Sequence, residues 1–267
     1  MRKKIYFIVL VLFISLSYIS ITKTQDTIFN KIDEKGQKQG WWREYYDNGK
    51  LKYLGFFENN IPSGIFKRYY ENGNLKAIIN YDNKNNITHA IFYHENGNIS
   101  ADGFYYKKNK DSIWKYYSYE TGKLIAEERY KNGKLNGISI RYYLNGKPFE
   151  KISWKDNKKN GIWEQYFDNG ALRLQALYKN DTLNGPFYVF FESGYFQVKG
   201  FFKNGKRHGK WEYYKDNNIK DFEVSFNNGI SDDSEKLDRK QQQYFEELEK
   251  NIGRIKEPDI NEIFKGY

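Results

Sequence analysis

The sequence contains no cysteine, and this absence excludes several classes of chemistry at once. The chain cannot form disulfides, thiolate zinc sites, iron–sulfur clusters or a cysteine nucleophile. It also lacks the cysteine that carries the lipid of a bacterial lipoprotein. Only three histidines occur, His89, His94 and His208. They leave little material for a metal site or a histidine-based catalytic triad.

Aliphatic residues are also scarce. Hydrophobic residues make up 39% of the chain and aromatic residues alone 19%. The difference leaves about a fifth of the chain for all aliphatic and sulfur side chains, too few to fill a large aliphatic core. The 25 Tyr, 20 Phe and six Trp must therefore do most of the packing.

The N-terminus has the pattern of an export signal. Three basic residues at 2–4 precede an uncharged, largely apolar run at 5–21, and no acid occurs before residue 26. This run lies at the lower limit of the length that spans a bilayer. We predict that residues 1–24 are a signal peptide cleaved after Thr24 or an uncleaved N-terminal anchor. The protein is then periplasmic, secreted or on the outer surface, or anchored by this segment.

A period of 24 residues organises most of the chain. Equivalent positions recur at a spacing of 24, with one spacing of 25, and define eight units over 40–232. The first positions of the units are Gly40, Gly64, Thr88, Ser112, Gly137, Gly161, Gly185 and Gly209. Residues 25–39 are predicted to form an N-terminal edge strand and a half repeat.

Two positions of the unit are aromatic in all eight copies. Position 6 is occupied by Tyr45, Tyr69, Tyr93, Tyr117, Tyr142, Tyr166, Phe190 and Tyr214. Position 18 is occupied by Phe57, Tyr81, Tyr105, Tyr130, Trp154, Tyr178, Phe202 and Phe226. We interpret both columns as structural, with rings stacking between units; alternatively, some rings line an exposed binding face. Position 3 is Trp or Phe in six units. On an ideal strand, positions 3 and 6 point to opposite faces of the sheet, so either both faces carry aromatic residues or a bulge lies between the two positions.

Turn residues separate two strand-like runs within each unit. Position 10 is glycine in seven units: Gly49, Gly73, Gly97, Gly122, Gly146, Gly170 and Gly194. These glycines mostly follow Asp-Asn or Glu-Asn, which favour tight hairpin turns, and a second turn closes each unit. Each unit is therefore one β-hairpin, and successive hairpins must stack because an isolated hairpin is marginal. The predicted fold is all-β, an elongated antiparallel sheet or open solenoid of about eight 24-residue hairpin repeats.

The composition changes abruptly after residue 232. Segment 233–267 is rich in Gln, Glu, Lys and Leu, and its apolar residues at 237, 244, 245, 248 and 252 fall on one helical stripe. We predict a C-terminal α-helix that caps the last hairpin, followed by an irregular tail. A partner-binding helix and disorder are the alternatives.

The repeats resemble the MORN-repeat-variant family, which includes bacterial YwqK-type antitoxin-like proteins. The resemblance rests on segments such as 161–170 and 209–214, joined by Lys-Asn-Gly-Lys connectors like 203–206. It implies an elongated sheet of hairpins that acts as a scaffold for protein or membrane contacts. Departures are local: Thr88 and Ser112 replace the first glycine, and the connector at 107–110 lacks Asn-Gly.

No catalytic motif is present, and we predict that the protein is not an enzyme and has no cofactor or metal. His89 and His94 lie five residues apart on one strand, so alternation places them on opposite faces. The acidic residues before the Asn-Gly turns recur in nearly every unit, which fits turn chemistry better than a unique catalytic pair. The glycines recur singly at turns and form no phosphate-binding loop.

These features predict an exported repeat scaffold that binds a protein partner through an extended aromatic and basic sheet surface. The candidate basic surface consists of Lys131, Lys134, Lys158, Lys159, Lys203, Lys206 and Arg207. One alternative is attachment to anionic lipid or acidic glycan at the cell envelope. Another is an antitoxin or immunity role in a toxin–antitoxin system. Nucleic acid is not expected as a partner, because an exported protein seldom meets it.

Overall fold

The computed structural model describes residues 28–233 together with Glu235 and Asp238, which are helical. The predicted signal or anchor at 1–24 lies outside the described residues. So does nearly all of the predicted capping helix and tail at 233–267. The described residues contain no helical segment with the length and hydropathy of a membrane span.

Residues 28–233 are all-β, as predicted, and form one open antiparallel sheet of 20 strands. The strands are β1 (Lys31–Ile32), β2 (Lys38–Tyr45), β3 (Leu51–Glu58), β4 (Ile61–Tyr69), β5 (Leu75–Asp82), β6 (Ile87–Tyr93), β7 (Ile99–Tyr106), β8 (Asn109–Tyr117), β9 (Leu124–Lys131), β10 (Lys134–Leu135), β11 (Gly137–Tyr142), β12 (Pro148–Lys155), β13 (Lys158–Tyr166), β14 (Leu172–Lys179), β15 (Thr182–Phe190), β16 (Phe196–Lys203), β17 (Lys206–Arg207), β18 (Gly209–Tyr214), β19 (Lys220–Asn227) and β20 (Ile230–Ser231). Each strand pairs with its neighbour in sequence, while β10 and β11 share the partner β9, and β17 and β18 share β16. Each 24-residue unit is one hairpin of this meander.

The Asn-Gly turns lie along one edge of the sheet, and all but one share the same geometry. The exception is unit four, whose extra residue lets the Gly122 N–H donate to the Ser118 carbonyl four residues earlier. In the first Asn-Gly turn the Gly49 N–H donates to the Tyr46 carbonyl, and the Tyr46 N–H donates to the Lys50 carbonyl. The glycine has a φ of 79°, which is why this column is nearly invariant. In the last unit Asn218 takes the same place with a φ of 62°, since Asn tolerates this conformation better than other side chains. We name this edge the Asn-Gly edge.

The turns that close the units lie along the opposite edge. Seven of them have two successive central residues with positive φ, as a type I′ hairpin requires. They are Asn59-Asn60, Lys107-Lys108, Asn132-Gly133, Asp156-Asn157, Asn180-Asp181, Asn204-Gly205 and Asn228-Gly229. The connector at 107–110, which departs from the pattern in sequence, therefore keeps the common turn. The irregular connector lies instead at 83–86, where only Asn86 has positive φ.

Position 1 of the unit marks a β-bulge. Gly64, Gly161 and Gly185 have positive φ where the register shifts against the preceding strand. Ser112 adopts the same left-handed conformation with a φ of 62°. Thr88 instead pairs regularly with Tyr81, without a shift. Unit three thus lacks the bulge, because its first residue is β-branched and disfavours positive φ.

The two faces of the sheet differ in burial. The core face carries positions 3, 5, 14, 16 and 18, and the open face carries positions 2, 4, 6, 12, 15 and 17. Most buried apolar side chains lie on the core face, in three clusters centred on Phe66, Trp114 and Trp211. Trp114 and Trp211 are only 1% and 2% exposed. The core of this sheet is therefore a row of aromatic rings that cover one another.

Glycines at position 16 make room for those rings. A Cβ on Gly55, Gly103 or Gly200 would lie 1.9 to 2.4 Å from the Phe66, Trp114 or Trp211 ring of the next unit, respectively. The Trp114 indole N–H then donates to the Phe104 carbonyl beside this contact, at 2.9 Å. Position 16 is Gly or Ala opposite four of the five rings at position 3 of the next unit, and the exception is Ile152 opposite Trp163.

Side chains at position 7 tie consecutive units together at the Asn-Gly edge. The hydroxyls of Tyr46, Tyr70 and Tyr143 each donate, at 2.7 Å, to the carbonyl of the position-6 residue one unit further on. His94 Nε2 makes the equivalent contact with the Tyr117 carbonyl at 3.1 Å. These bonds couple turns that belong to different hairpins.

The side chain of Asn30 covers backbone hydrogen-bonding groups at the N-terminal edge of the sheet. Asn30, with a φ of 61°, donates from its amide to the Arg43 carbonyl at 3.0 Å and accepts from the Arg43 N–H at 2.8 Å. The Arg43 guanidinium lies 4.3 Å from the centre of the Phe29 ring. Asn30 therefore occupies backbone groups on β2 that another strand could otherwise pair with.

Candidate binding surface on the open face

The open face carries a line of exposed apolar side chains at position 2. The apolar row consists of Trp41, Ile65, Ile113, Ile138 and Ile162, which are 37% to 55% exposed. Strand propensity explains the choice of residues, since β-branched and aromatic side chains favour strands even where one face is solvated. Members in consecutive units stand two strands, about 10 Å, apart. The row is interrupted in unit three, where His89 occupies position 2.

Each position-2 residue is paired across the hairpin with position 17. The eight pairs are Trp41/Phe56, Ile65/Asn80, His89/Phe104, Ile113/Arg129, Ile138/Ser153, Ile162/Leu177, Pro186/Phe201 and Lys210/Ser225. Two of them contain ring contacts, Trp41 with Phe56 at 5.7 Å and His89 with Phe104 at 4.5 Å. Three of the eight pairs, Trp41/Phe56, Ile162/Leu177 and Pro186/Phe201, are apolar on both sides.

The position-6 column borders the apolar row on the same face. Its hydroxyls donate to carboxylates of positions 4 and 15, from Tyr142 to Glu127, Tyr166 to Glu164 and Tyr214 to Glu212. Burial, and next the Glu127 carboxylate, raise the pKa of Tyr142 to about 12. These tyrosines remain neutral donors at physiological pH.

The two predicted aromatic columns therefore lie on opposite faces. Position 18 lies on the core face, where Phe57 and Phe226 are buried and the other six rings are half-buried. Position 6 lies on the open face, where Tyr45 is 49% exposed and the others are half-buried. Both faces carry aromatic side chains, which was one of the two arrangements that the sequence allowed.

In unit eight the open face carries charged side chains in place of the apolar row. On the open face of its hairpin, Lys220 Nζ lies 3.3 Å from Glu212 and 2.6 Å from Glu223, and Lys210 Nζ lies 3.0 Å from Glu223. Hydrogen bonds from Lys220 and then Lys210 lower the pKa of Glu223. A polar outer face is typical of the terminal unit of a repeat array. The accessible apolar surface therefore belongs to the units before it.

Sequence reasoning missed a polar network on the core face. The carboxylate of Glu128 accepts hydrogen bonds from the hydroxyls of Tyr116 and Tyr130 at 2.8 and 2.7 Å, and Lys110 Nζ donates to Tyr116 at 3.0 Å. Burial lowers the pKa of Lys110 and raises the pKa of Tyr116, which the nearby Glu128 charge raises further. The signal in the sequence was an acid at position 16, where other units have Gly, Ala, Ile or Val.

A second carboxylate of the core face lies nearby in sequence. Glu150 is 7% exposed and accepts from the Trp163 indole N–H at 2.9 Å and from the Gln165 amide at 3.3 Å. Arg141 lies 3.5 Å from its other oxygen. Because these donors engage both oxygens of the carboxylate, neither oxygen is available to take a proton from a substrate. We interpret Glu150 as a structural residue.

The predicted basic residues fall into two groups. Lys131, Lys134, Lys158, Lys203 and Lys206 are exposed at the type I′ turns. Lys159 and Arg207 are half-buried and lie over rings of the core face, with Lys159 Nζ 5.1 Å from Tyr178 and Arg207 Cζ 4.8 Å from Trp211. Lys38 lies over Trp42 in the same way, at 4.4 Å.

The three histidines have separate surroundings. His89 contacts Asp102 at 2.7 Å on the open face, and His94 belongs to the chain of bonds at the Asn-Gly edge. His208 interrupts the strand between β17 and β18, where its N–H donates to the Phe201 carbonyl. Within the described part of the chain, no three His, Asp or Glu residues are grouped so that they could hold a metal ion.

The family model of the MORN repeat variant matches five segments of the chain, at 38–59, 62–83, 111–132, 135–156 and 159–180. These matches correspond to units one, two, four, five and six. The resemblance predicted from the sequence is confirmed at the level of the repeat type, and such repeats suggest a scaffold. Among curated proteins, none matches the chain.

Proposed function

We propose that this protein is an exported, non-enzymatic repeat scaffold that binds a protein partner through the open face of its sheet. The observation that carries the proposal is the apolar row, whose members stay exposed in five of eight units, whereas most buried apolar side chains lie on the core face. Monomeric proteins rarely expose long apolar patches, and those that do use them for recognition.

The surroundings of the row support a protein partner. Tyrosines of position 6 flank it, and Phe104 and Phe201 extend it across the hairpins at 41% exposure each. Aromatic side chains supply much of the energy of protein interfaces at little entropic cost. Cations stand beside the rings, with Lys151 Nζ 4.9 Å from Tyr166 and Lys199 Nζ 3.9 Å from Phe196. A partner with apolar anchors and acidic flanks fits this face.

Export rests on the pattern of residues 1–24, which precede the described region. Intact-mass measurement of the protein isolated from its own cells tests this part of the proposal. A mature chain that begins at Gln25 and fractionates with the envelope supports it. A chain recovered whole from the cytoplasm contradicts it.

Site-specific photo-crosslinking in the source cells tests the binding face. A photoreactive residue at position 162 should give one protein adduct of defined mass. The change Ile138→Glu in the same protein should reduce this adduct at least about tenfold, because it places a charge in the apolar row.

Leu144 and Ile219 provide the matched controls. Both are exposed apolar residues, at 56% and 59%, but they lie in Asn-Gly turns and not on the open face. Leu144→Glu should leave the adduct from position 162 unchanged, and a photoreactive residue at 219 should give none. Equal labelling from 162 and 219 would show that the open face is not the binding surface.

A further inference from the structure

A ridge of lysines follows the edge of the sheet that carries the type I′ turns. Its members are all exposed: Lys107, Lys108, Lys131, Lys134, Lys155, Lys158, Lys179, Lys203 and Lys206. They occupy five consecutive turns, from the turn after β7 to the turn after β16. Because consecutive turns of this edge are two strands apart, the ridge repeats about every 10 Å and extends about 40 Å. We refer to it as the lysine ridge.

Three turns of the ridge place two lysines directly opposite each other. Lys131 pairs with Lys134, Lys155 with Lys158 and Lys203 with Lys206. Like charges directly across a hairpin destabilise it. A type I′ turn forms without a lysine pair, since Glu58 pairs with Ile61 and Asn227 with Ile230 at the equivalent positions of two other turns.

A fourth turn of the ridge is strained. Lys107 and Lys108 have φ values of 48° and 69°, in the left-handed region that Asn, Asp and Gly fill in the other six type I′ turns. Such conformations cost free energy, persist only where the surrounding structure imposes them, and cluster at functional sites. Lysines along this edge therefore destabilise the fold in two ways, through repulsion between paired charges and through positive φ at Lys107 and Lys108.

The charges of the ridge are not neutralised within the described region. Between residues 28 and 233, none of its nine ammonium groups has an ion pair or donates a side-chain hydrogen bond. Two acids lie in its turns, Asp156 and Asp181. The Asp181 carboxylate already accepts the Lys159 backbone N–H at 2.8 Å. The ridge is thus a line of nine lysines with two acids in its turns, and it carries an excess of positive charge.

We propose that the lysine ridge binds a linear acidic polysaccharide whose anionic groups recur about every 10 Å. A one-dimensional row at a turn edge matches a chain, whereas a lipid headgroup array would favour lysines spread over a flat face. An exposed ring, Tyr106, lies beside the ridge with its centre 5.3 Å from Lys107 Nζ. Such a ring can stack on the apolar side of a sugar ring.

Calorimetric titration of the mature chain with sized hyaluronate oligosaccharides tests this proposal, because hyaluronate carries one carboxylate on every second sugar. Affinity should rise with length until the oligosaccharide spans about five turns, and it should fall as salt is added. The variant K131Q/K134Q/K155Q/K158Q should bind at least about tenfold more weakly at low salt. Its midpoint of thermal unfolding should be unchanged or higher, because repulsion between the paired lysines is removed.

The control variant K35Q/K67Q/K115Q/K215Q removes the same charge from exposed lysines outside the ridge. It should bind as the parent does. Equal weakening in both variants, or affinity that does not depend on length, would overturn the proposal. Tighter binding to phosphatidylglycerol vesicles or to polyphosphate than to hyaluronate would also overturn it, in favour of lipid or of phosphate. The ridge is separate from the open face, so these outcomes leave the protein-binding proposal untouched.

Discussion

At the scale of single residues, backbone conformation and ring contacts explain why certain positions are small. The residue at position 10 has positive φ in its turn. The residue at position 16 has little room for a side chain where a ring of the next unit lies over it. Alanine is also accepted at position 16, since Ala176 lies opposite Phe187 and is 1% exposed. Where position 16 is Ile152, the Trp163 indole instead reaches Glu150. Side-chain volume on one strand therefore decides where the ring of the next strand goes.

Gly200→Ala should lower the free energy of unfolding by about 1–3 kcal/mol, the usual effect of overpacking. The new Cβ would stand 2.4 Å from the Trp211 ring. Chemical denaturation measures this change. In a Trp211→Ala background the same substitution should have almost no effect, because the ring is gone. A similar loss in both backgrounds would show that the glycine is needed for another reason.

Ser112→Gly should raise the free energy of unfolding by about 0.5–1 kcal/mol, since glycine adopts positive φ without the steric cost that serine bears. Thr88 provides a control at the same position of the repeat, but in regular extended register. Thr88→Gly should therefore lower stability by a similar amount. Denaturation curves of the two variants should shift in opposite directions, and a shift in the same direction would contradict the bulge assignment.

At the scale of the element, each hairpin is stabilised by bonds that belong to its neighbour. Position-7 hydroxyls reach the next unit at the Asn-Gly edge. At the opposite edge, backbone N–H groups in the type I′ turns donate to carbonyls of the preceding unit, such as Asn157 to Leu135 at 3.0 Å. An isolated hairpin would lose both sets of bonds. This agrees with the rule that a repeat is stable only through its contacts with adjacent repeats.

Tyr143→Phe should lower the free energy of unfolding by about 0.5–1.5 kcal/mol, because it removes the bond to the Tyr166 carbonyl and leaves the ring in place. Hydrogen exchange should also accelerate at the amides of the following turn, residues 167–171. Tyr195→Phe is the control, since Tyr195 is 48% exposed and its hydroxyl makes no hydrogen bond within 28–233. Equal effects of the two substitutions would show that the inter-unit bond contributes nothing.

At the scale of the whole molecule, tyrosine burial links the stability of the sheet to alkaline pH. Nine described tyrosines have a raised pKa: Tyr81, Tyr116, Tyr117, Tyr130, Tyr142, Tyr143, Tyr166, Tyr178 and Tyr214. Burial is the largest cause for each of them. The folded sheet therefore favours the neutral phenol more than the unfolded chain does.

The sheet should consequently lose stability at high pH. The contribution of these phenols is complete below the unfolded pKa of about 10 and is lost as the pH rises through the folded values, which for Tyr142 is about 12. Phenolate absorbance and circular dichroism should change together between these pH values. The chain in guanidinium should instead ionise near pH 10. Complete ionisation near pH 10 with the sheet intact would contradict this prediction.

Much of the fold could be predicted because local rules act within each unit. The columns of turn glycines and aromatic residues recur every 24 residues, and hairpin formation depends on residues close in sequence. The polar networks around Glu128 and Glu150 could not be predicted in the same way. Their partners lie up to 15 residues away, and only the strand register shows which side chains meet.

The repeat length, the hairpins and the places of the turns follow directly from the amino-acid sequence, because φ preferences and strand periodicity are local properties. That position 18 faces the core and position 6 the open face is visible only once the strands are paired. The paired sheet also shows that the exposed apolar row belongs to position 2. In a sheet of one layer both faces carry apolar residues, so burial depends on how rings from neighbouring hairpins cover one another. That coverage follows from register and bulges, which arise only when the strands pair.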